Sequence, residues 1–163
     1  MQAYKEAKLK LFEGLTDESR QRAVVCVDDI VVADDFIRAA SPVPVVTFGQ
    51  NPNPGMGDEP DVWPVEIGPT TLFEADYKIM TPYGVVQVIT KLVGVHNLQN
   101  ILAAIAAAVA INIPLESIVA GIENTDRIPG RMEVVDEGQG FPVIVDYAHT
   151  PDALEYLLNT VRE

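Results

Sequence analysis

"VIVDYAHTPDALEYLLNTVRE", residues 143–163, decides how the rest of this sequence is read. A β-branched run, Val143-Ile144-Val145, delivers Asp146, Tyr147 and His149 to its carboxyl end, and Thr150-Pro151 then opens a helix. Threonine at an N-cap accepts from an orphan helical N–H, and proline at the first helical position gives up an N–H that has no partner there anyway. In open α/β sheets, ligands sit beyond the carboxyl ends of the strands, where helix N-termini point N–H groups outward. Asp146 and His149 fall at that place: the carboxylate suits ribose hydroxyls and the imidazole suits phosphate. The alternative leaves Thr150 or Asp152 as a plain helix cap and His149 without a role.

Working backwards, residues 132–135 and 142–145 read as two strands around a Glu137-Gly138-Gln139-Gly140 turn. Ile128-Pro129-Gly130-Arg131 breaks the pattern before them. A guanidinium on a stiffened loop suits phosphate recognition, and a solvated surface arginine is the other reading of Arg131. Residues 96–111 predict a helix that is alanine-rich and apolar on most faces, hence deeply buried. His96, Asn97 and Asn100 stand at its start, and two amides spaced i,i+3 share a face. They could read the donor–acceptor edge of a purine, or serve as a cap and a satisfied polar residue. A second helix follows over 115–122, with Pro114 at its first turn.

The first half alternates. Residues 4–12 predict a helix with Tyr4, Lys8 and Leu11 on one face and Gly14 as its stop. Residues 22–27 form an apolar strand ending in Asp28-Asp29, residues 34–40 a helix, and residues 44–48 a second strand, the mark of a βαβ unit. Residues 50–59, rich in Asn, Pro and Gly, make a loop. Residues 62–67, 72–79 and 85–92 then alternate with period two, as antiparallel strands do, with Tyr83-Gly84 as a turn. Locally, Lys8 beside Lys5 and Lys10 is a solvated face. Asp28, Asp29, Asp34 and Asp35 are a strand end and a helix cap rather than a metal cluster. There is no glycine-rich phosphate loop in these residues and no Cys/His metal spacing.

Composition narrows the partners. Acidic residues number 24 against 11 basic, a net charge of −13, which repels nucleic acid and anionic membrane. An anion held locally by N–H groups is still permitted. Cys26 is the single cysteine, so no disulfide framework exists and the thiol reads as a small core residue. The apolar run 101–111 is half a membrane span, and the opening residues lack the apolar stretch of a secretory signal. A soluble, reducing compartment is expected, with one domain or one domain and part of another.

Four stretches acquire meaning together: "YKEAKLKLF" (4–12), "VHNLQNILAA" (95–104), "IPGRMEVV" (128–135) and "VIVDYAHTPDALE" (143–155). Their order and spacing resemble the Mur ligases, most of all the UDP-N-acetylmuramoyl-tripeptide synthetase (MurE) branch. The likeness spans the chain and rests on residues 4–12 and 93–163. It implies an α/β fold. Residues 1–128 would be the C-terminal part of the central ATP-binding domain, a mixed sheet flanked by helices. Residues 129–163 would be the first strands and helix of a Rossmann-like C-terminal domain. The activity implied is ATP-dependent: a peptide carboxylate of a UDP-N-acetylmuramoyl-dipeptide becomes an acyl phosphate, and an incoming amino acid attacks it to form an amide in peptidoglycan-precursor synthesis. Positioning and electrostatic stabilisation would dominate such phosphoryl chemistry.

The resemblance also carries roles. Lys8 matches a lysine that becomes carbamylated and helps hold magnesium, which demands hard oxygen ligands. Asn97 and Asn100 match adenine-contacting amides, with His96 alongside. Arg131 matches an arginine facing the γ-phosphate, Asp146 a ribose-binding aspartate and His149 a residue near the phosphates, while Tyr147 shapes the pocket between them. The sequence departs from the pattern at Cys26, where relatives carry Asn, at Ile30-Val31-Val32, and in an insertion over residues 51–58. The family's phosphate loop, acidic and His magnesium ligands and UDP-sugar domain would precede Met1, and the segment that selects the amino acid would follow Glu163. The chain is therefore expected to be a fragment, unable alone to cradle ATP phosphates, with the rest of the same protein as its partner. Two other readings are a folylpolyglutamate synthase-like ligase and a non-catalytic MurE-like subunit attached to the plastid transcription machinery. The compartment is accordingly the cytoplasm or the plastid stroma.

Overall fold

A computed structural model describes residues 2–50, 59–135 and 137–162. In chain order, α1 (Gln2–Glu13) leads to β1 (Ala23–Cys26), α2 (Ile30–Ala39) and β2 (Val45–Phe48). Then come β3 (Trp63–Thr70), β4 (Ala75–Thr81) and β5 (Gly84–Thr90), and two helices, α3 (Val95–Ala110) and α4 (Leu115–Glu123). The chain closes with β6 (Glu133–Val135), β7 (Val143–Val145) and α5 (Pro151–Arg162). β1 and β2 pair in parallel with Ala23 opposite Val45 and Cys26 opposite Phe48, so β1–α2–β2 is the expected βαβ unit. β3, β4 and β5 form an antiparallel sheet, joined to β2 through a parallel bridge from Phe48 to Val62. β6 and β7 make an antiparallel ribbon.

α3 is the keel. Leu98, Ile101, Leu102, Ile105, Ala106 and Val109 recur at helical spacing and are all buried. The helix touches β1, β2, β4 and α4, so one apolar stripe serves both sheets. From β4, Ala75, Tyr77, Ile79 and Thr81 alternate inward to meet it, the period-two counterpart. Leu102, Ile105 and Ile79 are fully buried, and each such side chain contributes about 1.5–3 kcal/mol relative to exposure. A second cluster seats α1 on α2: the Phe12 and Phe36 rings meet edge-on, 4.9 Å between centroids, and Lys5 pairs with Asp35. Met132, Ile144 and Leu157 reach the main core and fasten the ribbon and α5 to the rest.

Three local readings differ. α2 begins at Ile30, not near Asp34, because the Asp29 side chain accepts from Val32 N (3.2 Å) and caps a first turn made of β-branched residues. Asp34 and Asp35 then lie within the helix, paired with Arg38 and Lys5. The β4–β5 hairpin turns at Pro82-Tyr83, with Thr81 opposite Gly84, because the Thr81 hydroxyl donates to Gly84 O (2.7 Å) and accepts from Tyr83 N (3.2 Å). β4 starts at Ala75 rather than Leu72, since the Thr71 hydroxyl takes up the N–H groups of Phe73 and Glu74 in a turn of its own. The insertion over residues 51–58 lies outside the described residues.

Candidate functional site

α3 starts without a side-chain cap. Its N-cap is Gly94 at φ 92°, a left-handed position that only glycine takes cheaply. A Cβ there would stand 3.4 Å from Cγ2 of Thr160, so α5 folds back onto this end of α3. The two amides that follow are unlike each other. Asn97 is 2% exposed, and its Nδ2 donates to Val93 O at 2.9 Å. Asn100 and His96 are exposed.

At the end of β7, the Asp146 carboxylate is held by backbone. Oδ2 accepts from Met132 N (2.8 Å) and Oδ1 from Ala148 N (2.7 Å). Charge-assisted bonds of this kind fix the carboxylate's plane and leave further lone pairs for a ligand. Nδ1 of His149 lies 2.7 Å from Tyr147 O. A carbonyl only accepts, which assigns the proton to Nδ1 and leaves Nε2 as an acceptor in the neutral ring. His149 therefore donates to a phosphate only as an imidazolium, a restriction the sequence did not reveal. The Tyr147 ring meets it edge-on, centroids 4.8 Å apart. Thr150 caps α5 as expected, its hydroxyl accepting from Ala153 N at 3.3 Å.

Between α3 and β7 runs the bend. Arg131 N donates to Ile128 O (3.0 Å), with Pro129 and then Gly130 at φ 70° between them, the signature of a type II turn. Met132 follows at φ 47°, unusual for a non-glycine residue. Tyr147 N donates back to Gly130 O at 2.8 Å, tying the bend to the β7 exit. The Arg131 guanidinium is exposed and makes no hydrogen bond or ion pair with the described residues.

These pieces enclose one cleft of about 360 Å³, whose walls include His96, Asn97, Asn100, Arg131, Asp146, Tyr147 and His149. Seven of the eight residues singled out in the sequence thus share one concavity. Amides for a base edge, a carboxylate at a strand end and a free guanidinium make a donor–acceptor set suited to a nucleoside phosphate. Lys8 is the exception. It is exposed on α1, its Nζ 4.6 Å from the centre of the Tyr4 ring, and does not line the cleft. Among the described residues no three His, Cys, Asp or Glu side chains gather where a metal ion could sit. The described residues thus bring no such group to Lys8, whose expected part was one oxygen ligand beside acidic and His ligands lying before Met1.

Two groups, one in the cleft wall and one behind it, escaped the sequence reading. Gln99 lines the wall, and its Nε2 donates to Asp28 Oδ2 (3.3 Å) and to Cys26 Sγ (3.4 Å). Burial pushes the Cys26 thiol up from its ordinary value. Glu133 accepts from Gly130 N at 3.1 Å. The Gln99 contact has no local sequence signal, because Gln99 and Cys26 are 73 positions apart, whereas Glu133 lies within the same bend as Gly130.

Comparison with known proteins matches two segments of the chain. Residues 1–108 match the family profile of the Mur ligase middle domain, and residues 130–163 that of the Mur ligase, glutamate ligase domain. A chloroplastic MurE homolog of Arabidopsis thaliana, named as a UDP-N-acetylmuramoyl-L-alanyl-D-glutamate–2,6-diaminopimelate ligase homolog, is 44% identical over 98% of this chain and 20% of its own length. The ligase of that name from Geobacillus kaustophilus is 42% identical over all of this chain and 32% of its own length. A solved structure of a UDP-N-acetylmuramoyl-L-alanyl-D-glutamate–2,6-diaminopimelate ligase superposes with a TM-score of 0.76 and 30% identity, over 99% of this chain and 32% of that one. The chain thus spans a fifth to a third of the relatives it matches. With the middle-domain match extending over more than half of its residues and the cleft walls drawn from both matched segments, the chain belongs to the Mur ligase family.

Proposed function

We propose that this chain carries the adenosine-binding half of an ATP-dependent ligase that adds an amino acid to a UDP-N-acetylmuramoyl-dipeptide, through an acyl phosphate, in peptidoglycan-precursor synthesis. One observation carries the reading: His96, Asn97 and Asn100 from α3, Arg131 from the bend, and Asp146, Tyr147 and His149 from the β7 exit line a single cleft. In this reading the amides meet the adenine edge, Asp146 the ribose and Arg131 the phosphates, with the boundary between two domains at the 128–131 turn. ATP bound there supplies the phosphoryl group. The chain's own residues orient it, and Lys8, as a carbamate, would contribute an oxygen toward magnesium held mainly by other residues. No helix among the described residues is long and apolar enough to cross a membrane, in keeping with a protein of the cytoplasm or the plastid stroma.

The likeness to a chloroplastic relative favours a second reading, a non-catalytic subunit in plastids. One assay separates the two. ADP release by the protein is measured with ATP, a UDP-N-acetylmuramoyl-dipeptide and either diaminopimelate or L-lysine. The ligase reading expects release that needs all three substrates and is lost in Arg131→Ala. ATP binding without such release favours the subunit, and absence of ATP binding defeats the adenosine cleft itself.

A further inference from the structure

The Arg131 side chain is exposed, has no partner among the described residues and sits in a bend whose backbone would be costly to leave unsupported. Each N–H in the bend has a named acceptor. Arg131 N goes to Ile128 O (3.0 Å), Met132 N to Asp146 Oδ2 (2.8 Å) and Gly130 N to Glu133 Oε2 (3.1 Å). Two carboxylates, from the first residue of β6 and the exit of β7, thus each hold one N–H of the turn. The Glu133 side chain is only 17% exposed, and its other oxygen stands 3.4 Å from Nη1 of Arg127. That second contact reaches an arginine side chain 68% exposed, where ion pairs contribute little, so the bond to Gly130 is the one that matters. Met132, at φ 47° and buried, holds a conformation that persists only when its surroundings determine it.

We propose that Glu133 is a positioning residue for Arg131: together with Asp146, it locks the turn that aims the guanidinium into the cleft for the phosphates of a nucleotide. Glu133 itself stands outside the cleft walls and acts through the backbone of Gly130. The inference rests on the adenosine-cleft reading for its ligand, while the brace rests on the hydrogen bonds alone.

The test uses Glu133→Ala, Glu133→Gln, Arg131→Ala and the Glu133→Ala/Arg131→Ala pair, titrated with ATP and separately with adenosine. Amide exchange at Gly130 is followed without ligand. Glu133→Ala is expected to speed Gly130 exchange and weaken ATP binding about tenfold, within the coupling range of contacting groups, with adenosine affinity unchanged. In the Arg131→Ala background the same substitution should cost nothing further. Glu133→Gln keeps a carbonyl oxygen for Gly130 N and should stay within about twofold of the unsubstituted protein. An equal loss for adenosine, or a loss that persists without Arg131, makes Glu133 a general structural residue and overturns the proposal. Unchanged Gly130 exchange in Glu133→Ala overturns the brace while leaving the cleft reading intact. Failure of the unsubstituted protein to bind either ligand defeats the cleft, and Arg131 positioning with it.

Discussion

Gln99 Nε2 stands 3.4 Å from Cys26 Sγ, and with Asp28 Oδ2 at 3.3 Å it joins the N-terminal part of α3 to the carboxyl end of β1. Burial and the neighbouring Asp28 charge both disfavour the thiolate, and burial is the larger effect. Alkylation of Cys26 is therefore expected to be slow near neutral pH, with its pH–rate midpoint displaced upward from that of an unstructured cysteine peptide. Mass-spectrometric alkylation rates across pH measure this. A midpoint at or below the peptide's would mean that the thiol is not enclosed as described.

The two amides at the cleft should separate by what they break. Asn97 is buried and bonded to Val93 O, so Asn97→Ala leaves a buried carbonyl unpaired and is expected to cost about 1–3 kcal/mol of stability. Asn100→Ala, at an exposed site, should stay within about 0.5 kcal/mol yet still weaken ATP binding. Denaturant midpoints and ATP titrations of both variants decide it. Equal stability losses would show that the two side chains are not the different groups described here.

That contrast also shows how far the sequence carried. The period of 98, 101, 102, 105, 106 and 109 announced α3 and its burial, and the β-branched run into Asp146 announced β7 and the α5 start. Both are local signals, fixed by spacing and capping. The spacing of Asn97 and Asn100 put them on one face but could not say that one turns inward. That depends on the path of residues 93–94 before the helix. The start of α2 at Ile30 was not legible, since β-branched residues disfavour helix and the cap from Asp29 outweighs them. Contacts between positions far apart in the chain, such as Gln99 with Cys26, left no trace in any window of the sequence. Lys8 was legible only through resemblance, since its own surroundings describe a solvated lysine over a tyrosine ring.

Lys8 should accordingly be a residue of function without stability. Its partner in the fold is the exposed Tyr4 ring, an arrangement contributing at most about 0.5–1 kcal/mol at the surface. Lys8→Ala is expected to leave the unfolding midpoint nearly unchanged and to abolish ATP-dependent ligation, with added bicarbonate failing to restore it. Turnover equal to that of the unsubstituted protein would remove the carbamate role.

How α1 is held determines where Lys8 is presented. Lys5 of α1 pairs with Asp35 of α2, and its hydrogen bond and charge hold the Asp35 carboxyl below its usual range. A carboxylate depressed in the folded state contributes stability that is present above its unfolded value, about 4, and lost as pH falls through the folded value. Both groups are solvent-accessible, so the effect is small and sensitive to salt. Asp35→Asn is expected to lower the melting temperature at pH 7 and low ionic strength. The difference from the unsubstituted protein should narrow once pH drops below about 4, because protonation then removes the same charge from both. Calorimetry of the two proteins across that window measures it. A gap that is absent at pH 7, or that widens on acidification, would show that Phe12 and Phe36 hold α1 without help from the ion pair.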